Sequence, residues 1–314
     1  MKSSLYLRSL ERLRECAPGY PGDTAVLRRF SRLDFSAPVT MLCGDNGCGK
    51  TTLIELLACK VRANRIGPPQ GALTGSQRAV AAAADDFRVV MGGRPAHSFL
   101  FTAEGFSQYV MSLTAEKEFA RAELDGLSGK YGSDYARSLA AQPFAGTLAA
   151  IDHLYAAPLE TQSHGQGFLD FFQSRLIPGG LYLMDEPEAA LSYVNQLALI
   201  YLMQDAVSDG CQFVLATHSP ILTACPGAAI YEIDEGRLTP TDYEHLSSVQ
   251  FLSHFSKRTR TFSVRNNISQ EIRIVLLKSS TIQYTNQQET ESAMDFVSCS
   301  LCFFTFLHGF AVKF

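Results

Sequence analysis

The stretch Pro38-Val-Thr-Met-Leu-Cys43-Gly44-Asp-Asn-Gly-Cys-Gly49-Lys50-Thr51-Thr52 decides how the rest of the chain is read. Its first six residues are mostly apolar, as expected of a short strand buried in a parallel sheet. The next eight fit G-x-x-x-x-G-K-[ST], and a helical pattern continues from Thr51 to Val61. Strand, glycine-rich turn and helix in that order build a loop whose backbone N–H groups turn inward around phosphate. Glycine keeps side chains out of the way, and the helix N-terminus adds a favourable dipole. Gly44, Asp45, Asn46, Gly47, Cys48, Gly49, Lys50, Thr51 and Thr52 are therefore the expected nucleotide-binding residues. Lys50 is expected on the β- and γ-phosphates and the Thr51 hydroxyl on Mg²⁺.

Working outward, Gly180-Leu-Tyr-Leu-Met184, Gln212-Phe-Val-Leu-Ala-Thr217 and Ser98-Phe-Leu-Phe-Thr102 read as further strands, with a helix over Ala189 to Ala206. Alternation of this kind predicts an α/β fold with functional groups at the carboxyl ends of its strands. The strand at 180–184 delivers Asp185 and Glu186 to its exit, where side chains alternate and so take different jobs. Asp185 suits the Mg²⁺ shell, and Glu186 suits the attacking water as general base. The competing structural reading is a strand end followed by a helix cap, with Pro187 in the first turn. His218, at the end of its own strand, is placed to touch the γ-phosphate or the water, since a neutral imidazole can both donate and accept.

With 46% hydrophobic residues among 314, the chain can bury a sizeable core. A net charge of −4 argues against a broad, non-specific nucleic-acid surface, although a local basic patch is compatible with it. The opening Met1-Lys-Ser-Ser-Leu-Tyr-Leu-Arg8 meets charge too early for a secretory signal, so the expected location is cytoplasmic. The eight cysteines are then expected as reduced thiols. Cys299-x-x-Cys302 has no second pair at zinc-site spacing. Cys43 and Cys48 flank the phosphate loop, where N–H groups and Lys50 could lower a thiol's pKa; the alternative is two small residues fitting a tight turn. Residues 109–161 are rich in Ala, Leu, Glu and Lys and read as a helical insertion. Beyond about Ser256 the composition changes, and the apolar end, Phe296 to Val312, is broken by polar residues and short for a membrane span.

The order of these motifs resembles the ABC ATPase superfamily, in which a phosphate loop, a signature loop, an Asp-Glu strand, a D-loop and a switch histidine follow one another. Ser163-His164-Gly165-Gln166 stands about twenty residues before Asp185, where the family's signature belongs, and Glu188-Ala-Ala-Leu-Ser192 looks like the D-loop. Thr161 to Leu169, Leu181 to Ser192 and Ala216 to Leu222 are similar to small stand-alone bacterial ATPases of the AAA_21 or Rad-Fifty-like group. The resemblance implies a P-loop NTPase fold of ABC type over residues 1–256, with 257–314 as an atypical tail. It also implies a homodimer that closes on ATP, in which Ser163, Gly165 and Gln166 of one copy meet the nucleotide held by the other. Two positions depart from the family. Glu104 stands nearest to where a glutamine loop is expected, with Gln108 later, so that role is unassigned, and no aromatic is clearly placed to stack on adenine, with Tyr20 a candidate.

The expected function is hydrolysis of ATP, with Mg²⁺, by a stand-alone ATPase whose dimerisation drives an unidentified partner. Two alternatives share the motifs: the nucleotide-binding subunit of a transporter, and a DNA-associated ATPase. The second of these would bind DNA through its globular surface, because only about 110 residues separate Lys50 from Ser163 and no sustained heptads lie between them.

Overall fold

In the computed structural model residues 5–67, 73–127, 130–152 and 164–259 are described. The chain divides into two units, Met1–Leu246 and Ser247–Phe314. The four expected strands form as β3 (Val39–Gly44), β6 (Ser98–Thr102), β7 (Leu181–Asp185) and β8 (Gln212–Ala216). With β4 (Asn64–Arg65), β9 (Ala229–Asp234) and β10 (Arg237–Thr241) they build a seven-stranded sheet in the order β10-β9-β3-β8-β7-β6-β4. Every pairing in it is parallel except that of β10 with β9. The β9–β10 hairpin turns through Glu235 and Gly236 at φ 44° and 80°, the positive angles that a two-residue hairpin loop demands. A second sheet, antiparallel and three-stranded, holds β1 (Leu7–Arg12) between β2 (Arg32–Asp34) and β5 (Phe87–Met91).

The alternation of side chains along the strands covers both faces of the large sheet. Leu42, Leu100, Leu181, Leu183, Val214 and Ala216 pack on one face with Leu53, Ile54, Leu56 and Leu57 of helix α2 (Lys50–Val61). On the other face lies an aromatic cluster. Phe101, Tyr182 and Phe213 from the strands meet Phe168, Phe171 and Phe172 of α6 (His164–Arg175), with the Phe101 and Phe172 rings 5.0 Å apart and edge to face. Tyr182 keeps its hydroxyl satisfied in this core: it accepts from Ile177 N at 2.7 Å and donates toward Arg175 O at 3.1 Å. Burial holds its phenol up at about 12.

A buried side chain joins the two sheets. Gln212 is buried, accepts from Leu7 N at 2.8 Å and donates to Leu7 O at 3.1 Å. Its removal strands a backbone donor and a backbone acceptor, each worth about 1–3 kcal/mol when left unpaired. Gln212→Ala is therefore expected to cost about 2–4 kcal/mol, seen as a lowered melting temperature in a thermal scan.

Helix α1 (Ala25–Arg29) precedes β2, and α3 (Gly75–Ala83) precedes β5. Two long helices, α4 (Ala103–Gly126) and α5 (Asp134–Asp152), follow β6, tied by an ion pair of 2.9 Å between the buried Lys117 ammonium and Asp152. The helical stretch opens at Ala103, ahead of Tyr109. The reason is the cap: Thr102, the last residue of β6, accepts from Gly105 N at 2.9 Å, so strand passes into helix without a loop. The expected helix at Ala189 starts later, as α7 (Tyr193–Ser208), because Pro187–Ala190 form a 3-10 turn and Leu191 is extended. Ser192 caps α7 through Asn195 N at 3.3 Å. In the second unit the described residues form α8 (Ser247–Thr259). The tail from 260 on, and with it Cys299 and Cys302, lies outside the described residues.

Candidate functional site

Three parallel strands end side by side: Asp185 of β7 is in register with Ala216 of β8, and Leu42 of β3 is in register with the same Ala216. The loops that leave them carry the chemistry. Gly44, Gly47 and Gly49 have φ of 142°, 80° and 106°. A Cβ on Gly44 would lie 2.5 Å from Ile233 O, and one on Gly49 would lie 2.2 Å from Val26 Cγ1 of α1. These positions need glycine both for backbone angle and for room. Asp45, Asn46 and Gly47 are exposed, Cys48 is half-buried, and Thr52 is buried on the inner side of α2. No side chain caps α2, whose N-cap is Gly49. That arrangement suits an anion.

Lys50 is 3% exposed, with Nζ donating to Gly44 O at 2.8 Å and Asp45 O at 3.0 Å. Beside it, the Thr51 hydroxyl donates to Asp185 Oδ1 at 3.1 Å, across 134 residues of sequence. Glu186 Oε1 stands 4.0 Å from Lys50 Nζ and 3.9 Å from His218 Nδ1. The structure thus brings Gly44 to Thr52, Asp185, Glu186 and His218 to one edge of the sheet. Glu186 makes no side-chain cap bond, so it does not serve as a helix cap; its backbone is left-handed at φ 45°, ψ 52°, an uncommon conformation for a residue with a Cβ.

The other expected positions fall elsewhere. Gly165 and Gln166 open α6. A Cβ on Gly165 would meet Asn195 Nδ2 at 2.4 Å and Ala190 O at 3.2 Å, and Gln166 Nε2 donates to Asp170 at 2.8 Å. Ser163 lies outside the described residues. Glu104 sits in the first turn of α4 and accepts from Gln108 Nε2 at 2.9 Å. Tyr20 is exposed in the turn before α1. Glu188 was given no chemical role from sequence, yet its carboxylate reaches both Thr217 and His218. The signal for it was an acid three positions past Asp185, easily taken for part of a solvated turn.

Electrostatics separates the acids from the thiols. Burial pushes the Asp185 carboxyl up to about 7, opposed in part by the Thr51 hydrogen bond and by Lys50, and helped by the charges of Glu186 and Glu55. Cys43 is pushed up to about 12 by burial, and Cys48 is raised for the same reason despite Lys50 nearby. Neither is an activated thiol. They are small residues fitting a tight loop.

The donor set also fits Mg²⁺. Thr51 Oγ1 and Asp185 Oδ1 are hard oxygens, and Mg²⁺ typically takes one or two protein oxygens, with substrate phosphates and water completing its shell. Among the described residues no group of three or more His, Cys, Asp or Glu side chains gathers to hold a metal by itself. A consequence follows for the metal-free protein. Between 3.8, where the unfolded chain releases the Asp185 proton, and about 7, where the folded chain does, the folded state binds more protons. Stability contributed by this group therefore falls as pH rises through that window and levels off above it. Melting in a chelator from pH 5 to 8 should show this decline, and Asp185→Asn should flatten it.

Comparison with known proteins agrees with the phosphate loop. The model of an AAA domain, AAA_23, matches residues 26–59. The chain is similar to the cobalt import ATP-binding protein CbiO of Salmonella paratyphi A, 27% identical over 229 residues covering 69% of this chain and 74% of that protein. It is also similar to the cytochrome c biogenesis ATP-binding export protein CcmA of Nitrobacter hamburgensis, 26% identical over 196 residues covering 61% of this chain and 85% of that protein. Among solved structures, cbiO1 from Clostridium perfringens is 15% identical with a TM-score of 0.40, covering 87% of this chain and 99% of that one. The SMC head domain from Thermotoga maritima is 15% identical with a TM-score of 0.39, covering 76% and 99%. Among the described residues no helix is long and apolar enough to cross a membrane. The match to an AAA domain thus spans the phosphate loop and the helix that follows it, and the chain is similar to ABC ATP-binding proteins.

Proposed function

We propose that this chain hydrolyses ATP to ADP and phosphate as a stand-alone cytoplasmic ATPase of the AAA_21 or Rad-Fifty-like group. The observation that carries the reading is the contact of Thr51 with Asp185, 3.1 Å across 134 residues, with Lys50 Nζ 4.0 Å from Glu186 Oε1. Gly44 to Thr52 wrap the phosphates, with Lys50 on the β- and γ-oxygens. Thr51 and Asp185 would hold Mg²⁺, which when bound offsets charge developing on the phosphoryl oxygens. Glu186 takes the proton of the attacking water, and His218 holds the γ-phosphate or that water in place.

Ser163, Gly165 and Gln166 act in trans. They meet the γ-phosphate held by a second copy, so ATP closes a homodimer and hydrolysis releases it, and this cycle works on an unidentified protein partner. Only a ligand that binds the closed pair better than the open one can drive such a change. Residues 1–256 carry the ATPase domain, and 257–314 form an atypical C-terminal tail. The test is phosphate release by the purified chain with Mg²⁺ and ATP against a chelator control, together with sedimentation with and without ATP. Turnover that needs Mg²⁺, and a mass that doubles with ATP, support the reading; absence of ATP binding at millimolar concentration rejects it.

A second reading is favoured by the curated relatives, whose names place them in cobalt import and cytochrome c biogenesis export. In it the same ATPase serves as the nucleotide-binding subunit of a transporter. Co-purification with a membrane permease would favour this reading over the stand-alone one.

A further inference from the structure

Glu188 sits in the 3-10 turn after β7, and its side chain is 6% exposed. One carboxylate oxygen, Oε1, accepts from the Thr217 hydroxyl at 2.7 Å and from the His218 backbone N–H at 2.7 Å, and it stands 3.2 Å from His218 Nδ1. The other, Oε2, is buried and meets no hydrogen-bond donor. A purely structural acceptor for a hydroxyl and an N–H needs one neutral oxygen. Burying a second, unpaired one costs stability, and such groups call for a functional explanation. The neighbour that gives a carboxyl group a use here is the His218 ring. Glu186 also approaches Nδ1, but at 3.9 Å it is beyond hydrogen-bond reach.

We infer that Glu188 is the positioning residue of His218. It accepts the Nδ1 proton, fixes that tautomer, and leaves Nε2 as the nitrogen that faces the phosphate or the attacking water. A carboxylate on one ring nitrogen sets the role of the other, as in other histidines held by an acidic partner. This inference rests on the ATPase reading for its consequence, and on the geometry of Glu188 for its existence.

The test labels the histidines with ¹⁵N and assigns His218 by the signal lost in His218→Gln. At a pH where the ring is neutral, the nucleotide-free protein should show the Nδ1–H tautomer. Glu188→Ala should move it to the Nε2–H form that free imidazole side chains favour. Glu188→Gln keeps an acceptor oxygen and should retain part of the Nδ1–H form. In steady-state assays kcat should fall about ten- to a hundredfold in Glu188→Ala, with KM for ATP within about threefold, and Glu188→Gln should recover part of the rate. An unchanged tautomer in Glu188→Ala overturns the inference, as does a loss of rate that follows a rise in KM or a loss of folded protein. If the unsubstituted chain hydrolyses no ATP, the ATPase reading fails, while the tautomer measurement still decides the pairing of Glu188 with His218.

Discussion

Glu186→Gln lowers ATP turnover by about 10²–10⁴-fold and leaves ATP binding nearly intact, the expected result of removing a general base while keeping its shape. Glutamine occupies the same volume and accepts the same left-handed backbone, so the phosphate loop, 4.0 Å away at Lys50 Nζ, has no reason to rearrange. What it lacks is the basic oxygen that takes the proton of water. The ATP-bound state should then persist, and with it the closed pair of chains. Single-turnover phosphate release measures the first effect and sedimentation with ATP the second. Partners retained by this variant and lost without ATP would identify what the cycle drives. Turnover within tenfold of the unsubstituted chain would assign the base to another group.

Lys50→Ala acts on binding instead. The Lys50 ammonium is nearly fully buried and shared between the carbonyls of Gly44 and Asp45. These two carbonyls hold the cation at the centre of the loop. Truncating one partner of a buried, hydrogen-bonded charge pair costs about 2–5 kcal/mol. A loss of about 3 kcal/mol raises Kd for ATP more than a hundredfold. Titration calorimetry with ATP and Mg²⁺ measures it directly. Because Gly44 and Gly49 set the loop by backbone angle and close approach to Ile233 and Val26, the folded state itself should survive the change, seen as an unchanged circular dichroism spectrum. A Kd within threefold of the unsubstituted protein would mean that the loop does not hold phosphate.

The two variants separate the halves of the site. One spares binding and stops chemistry; the other weakens binding and stops chemistry as a result. A transporter subunit and a stand-alone ATPase would behave alike in both, so the partner question belongs to the co-purification experiment with Glu186→Gln.

Local pattern was enough for the four central strands, for the phosphate loop and for the Asp185-Glu186 pair. β3, β7 and β8 are short buried runs that lead into glycine, acid or histidine, and β6 is a short apolar run, so neighbours in sequence already carry the information. The three-stranded sheet was not legible: β1 alternates imperfectly, β2 has three residues, and their stability comes from pairing with one another and from Gln212 reaching Leu7. The start of α4 at Ala103 and of α7 at Tyr193 depended on Thr102 and Ser192 as caps, whose effect shows only when the chain direction is known.

Read alone, the order of residues established a nucleotide-type loop, a paired acid and an α/β chain, because backbone angle, charge and hydrophobic period are properties of short segments. Folding in three dimensions decided the rest. It set Thr51 against Asp185, raised the Asp185 carboxyl and the Cys43 and Cys48 thiols by burial, and brought Glu188 against His218. Those outcomes depend on which distant groups share a low-dielectric space, and sequence separation does not measure that distance.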